Sequence, residues 1–161
     1  GDRLGPWEAG AGFPVLLVGH RLYWFSFEDA SSSLVTACLD LTTMRRVVVP
    51  PLRQQSIRRA FCNQLEVVAL SGRIYALAHV DLGEGSAAPS AVLALRLDLA
   101  GKRWEALPPL PTPRFGFAAA AFGGRLLVVG GESPLEPGIL GTTEAFDPRT
   151  GAWSALPPMP T

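Results

Sequence analysis

Two histidines, His20 and His79, two cysteines, Cys38 and Cys62, and two tyrosines, Tyr23 and Tyr75, are the side chains of this 161-residue sequence most suited to metal ligation or nucleophilic chemistry. Metal centres and catalytic triads need such residues, or clustered carboxylates, brought together at defined spacing. Neither histidine has a partner at ligand spacing, and a zinc site would need His20, His79, Cys38 and Cys62 to converge from distant parts of the chain. The cysteines form no C-x-x-C pair; they read as two buried thiols, with a single disulfide left open. Gly130-Gly131-Glu132 follows an apolar run but lacks the Gly-Lys-Ser/Thr and the helix that a phosphate loop requires. The expectation is no catalytic residue, no metal and no cofactor.

Arginine offers the other chemistry. Arg45, Arg46, Arg53, Arg58 and Arg59 lie in a stretch from Leu41 to Leu65 that contains no acid. Guanidinium groups clamp carboxylates through paired hydrogen bonds, so an electropositive rim here would suit an acidic peptide; the alternative is a solvated loop. The chain as a whole is neutral, with Lys+Arg 14 against Asp+Glu 14, which argues against general binding to nucleic acid or to a membrane surface. No apolar run reaches the roughly 18 residues of a membrane span.

The elements that would position these residues recur. Gly19-His20-Arg21-Leu22-Tyr23, Gly72-Arg73-Ile74-Tyr75 and Gly124-Arg125-Leu126-Leu127 share an Arg before an apolar pair, and Arg21 to Arg73 and Arg73 to Arg125 are each 52 residues. Each is followed by an Asp at the end of an apolar run (Asp40, Asp98, Asp147), then by a closing Pro-Pro-Leu or Pro-Pro-Met. Within each unit four short β-rich runs alternate with Gly, Ser, Asp and Pro, which predicts a four-stranded meander. The predicted strands are 14–18, 22–27, 34–41 and 47–49; 67–70, 74–80, 91–99 and 104–107; and 117–122, 126–129, 142–146 and 153–156. Gly 17 and Pro 15 suit many short strands and break helices. A four-stranded sheet repeated about every 50 residues is a propeller blade of the kelch period, not the shorter WD40 one.

The third unit resembles a full kelch repeat. It runs from Pro111-Thr112-Pro113-Arg114 through Gly130-Gly131 and Phe146-Asp147-Pro148 to Trp153, six residues after the Asp. The second unit keeps Asp98 and Trp104 but has Ala78-His79 in the glycine slot; the first has Ser26-Phe27 there. The resemblance implies an all-β, kelch-type β-propeller of about three four-stranded antiparallel blades, part of a larger ring. Its repeats would span about 13–52, 65–110 and 115–160 of one partial domain, 1–161. Gly130, Gly131, Trp104, Trp153, Asp98 and Asp147 would be structural markers of the blades.

Three blades do not close a ring of about 4–8. The start at Gly1 and the end just after a closing Pro-Pro-Met predict a piece cut from a longer chain, or else copies that assemble to finish the ring. The resemblance is to adaptors that carry an F-box or BTB domain and recognise substrates for ubiquitin ligation. It implies a protein or acidic-peptide partner and a cytoplasmic or nuclear site of action. In such adaptors arginines at the position of Arg114 line the peptide-binding face, which makes Arg114 a candidate beside Arg53, Arg58 and Arg59. Kelch-fold copper oxidases and sugar-modifying enzymes, and cytoskeletal scaffolds, are the alternatives.

Overall fold

The computed structural model describes residues 14–28, 33–49, 61–82, 90–100, 103–135 and 138–160. These form three four-stranded antiparallel sheets. Blade 1 comprises β1 (Val15–Val18), β2 (Arg21–Glu28), β3 (Ser33–Asp40) and β4 (Arg45–Val48). Blade 2 comprises β5 (Phe61–Leu70), β6 (Arg73–Asp81), β7 (Ser90–Asp98) and β8 (Arg103–Ala106). Blade 3 comprises β9 (Ala118–Phe122), β10 (Arg125–Val129), β11 (Thr143–Asp147) and β12 (Ala152–Leu156). In every blade the strands pair in chain order, as a meander requires.

The repeat markers meet across hairpins. Arg21 stands opposite Asp40 and Arg73 opposite Asp98, and the Arg21–Asp40 and Arg125–Asp147 pairs lie 3.6 and 3.8 Å apart. Each Asp also caps the turn after the third strand. Asp40 accepts from the Thr42 and Thr43 amides, Asp98 from the Ala100 amide and Asp147 from the Arg149 amide. A short carboxylate that takes the amide two residues on fixes a tight turn, which explains the repeat of Asp at this place.

Alternation along β6 shows how the blades stack. Its interior, Ile74 to Val80, is buried throughout. Ile74 and Ala76 pack with Tyr23, Phe25 and Cys38 of blade 1; Tyr75 and Leu77 pack with Phe117, Leu126, Val128 and Phe146 of blade 3. Successive residues of a strand point to opposite faces, so a strand covered on both sides reads as one continuous apolar run. Across blades β5 touches β1 on one side and β9 and β10 on the other, so the sheets fan out from their first strands. Trp104 is buried edge-on to Phe25, and Trp153 packs on Phe146 while its Nε1 donates to the Pro108 carbonyl of blade 2 at 2.9 Å. The tryptophans therefore join one blade to the next.

The outer faces of the two end blades have no such cover among the described residues. Val15, Leu17 and Val48 of blade 1 and Phe122 of blade 3 are exposed. The three blades form an open arc, not a closed ring.

Candidate partner-binding site

The register of blade 2 brings one set of polar side chains to the edge facing blade 3. Gln64 of β5 pairs with His79 of β6, and Asp81 pairs with Ser90 at the start of β7. His79 lies two residues beyond Leu77, on the face that meets blade 3. The segment entering β9 closes the opposite wall. Gln64 straps that segment in place: its Nε2 donates to the Phe117 carbonyl at 2.6 Å and its Oε1 accepts from the Gly116 amide at 2.7 Å. Between these walls lies a cavity of about 600 Å³ lined by Gln64, His79, Asp81, Ser90, Phe115, Gly116 and Pro134. A volume of this size suits a small ligand or a few side chains of a partner.

Gly131 sets the position of Phe115. It has φ +95°, and a Cβ there would sit 2.6 Å from the Phe115 carbonyl oxygen. The close approach lets Phe115 and Glu132 exchange backbone hydrogen bonds of 3.1 and 2.8 Å. Phe115 stands edge-on to His79, with ring centroids 6.0 Å apart. The second glycine of the pair thus shapes a wall of the cavity.

The floor is unusual. His79 and Ser90 are each 4% exposed, and both ring nitrogens of His79 and the Ser90 hydroxyl lack a hydrogen-bond partner. A buried polar group left unpaired costs roughly 1–3 kcal/mol, so native structures keep few of them. Burial pushes the His79 imidazole below the ordinary histidine range, with Asp81 acting the other way.

Arg114 requires a correction. The sequence places it on an accessible binding face, but it is 0% exposed. Its Nη1 donates to the Gly130 and Thr142 carbonyls at 3.0 and 3.1 Å, its Nε to the Thr112 carbonyl at 3.3 Å, and its Nη2 to Glu144. The guanidinium is spent inside blade 3, where it ties the β9 entry to the ends of β10 and β11. Arg53, Arg58 and Arg59 lie outside the described residues. The chain leads from them into β5, whose first residue pairs with Asp81 at the cavity.

Other candidates with described side chains lie in blade interfaces and turns. Tyr23 and Tyr75 are buried in successive blade interfaces, and Cys38 is a buried free thiol. His20 lies 3.2 Å from Asp40 in the β1–β2 turn. Among the described residues no group of three or more His, Cys, Asp or Glu is placed to hold a metal ion.

Stacked four-stranded meanders that fan out from their first strands define a segment of a β-propeller. A family model described as "Kelch motif" matches residues 113–160, which span blade 3. It is 24% identical over 86% of its length to F-box protein AFR of Arabidopsis thaliana, and 28% identical over 83% to Kelch repeat and BTB domain-containing protein 13 of Homo sapiens. It spans 36% and 27% of those two proteins. The solved structure of YjhT superposes with a TM-score of 0.69 at 13% identity over 92% of this chain and 51% of that one, which shows the fold. The chain is thus similar to the kelch-repeat part of proteins named for an F-box or a BTB domain.

Proposed function

We propose that this module is the substrate-recognition part of a kelch adaptor for ubiquitin ligation, joined in a longer protein to an F-box or BTB domain. One observation carries the reading: relatives named for an F-box and for a BTB domain each align with more than four-fifths of the chain. Both domains link a recognition module to cullin-type ligases. The cavity at the junction of blades 2 and 3 supports it, because binding surfaces are expected where loops meet on a rigid scaffold. On this reading the chain binds and does not catalyse, and it acts in the cytoplasm or nucleus. The partner is a protein, held at the cavity and not by Arg114.

The test is co-purification of the full-length protein with cullin subunits, followed by measurement of partner ubiquitination. Cullin association that depends on the domain outside this chain, with ubiquitination that depends on the chain, is expected. A full-length protein that brings down partners but no cullin subunit contradicts the ligase role.

A further inference from the structure

The floor of the cavity limits what can be bound there. His79 and Ser90 are nearly sealed from solvent and have no hydrogen-bond partner, although neither carries a charge when the imidazole is neutral. A neutral imidazole has one N–H and one lone pair, and a hydroxyl both donates and accepts. Phe115, 38% exposed, and Pro134 add apolar wall.

We propose that the cavity takes an uncharged carboxamide side chain, Asn or Gln, of the partner protein, seated beside Phe115 and against the floor formed by His79 and Ser90. This rests on the reading of the chain as a protein-binding module. A carboxamide offers a donor and an acceptor side by side, which matches the unpaired functions of the floor. A carboxylate offers acceptors alone, which leaves the lone pair of the neutral His79 ring without a donor. An ammonium offers donors alone, which leaves the N–H of the neutral His79 ring without an acceptor. The unpaired atoms are sealed from solvent in the free protein, so movement of both the His79 and the Ser90 side chains is part of binding. The desolvation of these groups is already complete in the free protein, so each hydrogen bond formed to the ligand favours binding.

The histidine ring supplies the readout. In full-length protein labelled at the histidine ring nitrogens, His79 is assigned by loss of its signals in His79→Phe. The protein is titrated with N-acetylglutamine amide, N-acetylglutamate amide and N-acetyllysine amide. The expected result is a saturable shift of the His79 signals with the glutamine compound, and at least about tenfold weaker binding of the other two. Ser90→Ala, with an unchanged thermal midpoint, is expected to weaken the glutamine compound about fivefold. No His79 response, an equal response to all three, or a preference for glutamate or lysine overturns the proposal. A glutamate preference would instead favour an acidic partner. These probes need no ligase machinery. Loss of cullin association with glutamine selectivity retained would therefore sink the ligase reading alone, and the converse would sink this one alone.

Discussion

Blades 2 and 3 share a period and a strand order, yet they solve the end of their second strand differently. In blade 3 the strand stops at Val129 and the double glycine follows, both residues at positive φ. The backbone at Gly131 presses against Phe115, and Arg114 donates to the carbonyls of Gly130 and Thr142. In blade 2 the same slot holds Ala78 and His79. Both are compatible with extended backbone, so β6 runs on to Asp81 and β7 begins as early as Ser90. Blade 3 spends its glycine slot on close packing. Blade 2 spends it on a longer ladder that carries an unpaired histidine to the junction. The same position in a repeat can thus support the scaffold in one blade and place a polar side chain at a cavity in the next.

The largest test of this difference is Arg114→Ala. It leaves Glu144 buried without its cation and should cost about 3–5 kcal/mol in denaturant unfolding of the full chain. A loss below about 1 kcal/mol would mean that Arg114 is not the tie described here. Next comes a pair of alanine variants. Gly131→Ala places a Cβ on the Phe115 carbonyl at a strained φ and should cost roughly 1–3 kcal/mol. His79→Ala, which keeps extended backbone and removes two unpaired nitrogens, should cost less than Gly131→Ala in the same assay. The reverse order would break the comparison. Trp153→Phe removes the hydrogen bond to Pro108 and should cost about 1 kcal/mol, read as a modest fall in the unfolding midpoint.

Acid titration sharpens the comparison further. The folded protein holds the His79 imidazole below its unfolded value, so this contribution is complete above about pH 6.5 and is lost as pH falls toward the folded value. Arg149, through its side chain and its amide, holds the Asp147 carboxyl down to about 2, so its contribution persists until pH falls below the ordinary carboxylate range and through about 2. Stability should therefore decline in two stages, the blade 2 residue first. His79→Phe should flatten the upper stage alone, and Asp147→Asn should reduce the lower stage, to which Asp40 and Glu105, both held below the ordinary carboxylate range, also contribute.

Much of the scaffold was legible because its markers are local. The three Asp caps, the Arg residues opposite them and the two tryptophans each act within a hairpin or across one blade interface. The start of β5 was not. Asn63, Gln64 and Glu66 break its apolar run, so the sequence suggests a strand from 67, whereas β5 begins at Phe61. A polar residue in a strand that should be covered on both faces is the signal that was available, and Gln64 is the strap at the cavity. Ser90 gave no signal, since its burial follows from the length of β6. His79 stood out by its place in a glycine slot, but its lack of partners depends on three-dimensional packing. Arg114 was found by motif and misread in direction, because a motif gives a position along the chain and not the side on which a guanidinium ends.

The most direct measurement is a matched comparison of two variants in the full-length protein. Phe115→Ala removes a wall of the cavity; Leu41→Ala removes a similarly exposed side chain from the β3–β4 turn of blade 1. The proteins bound by each are quantified against the unsubstituted protein, with thermal midpoints recorded alongside. Loss of the bound partners in Phe115→Ala alone, at an unchanged midpoint, is what a binding site between blades 2 and 3 predicts. An unchanged set of partners in Phe115→Ala would contradict it.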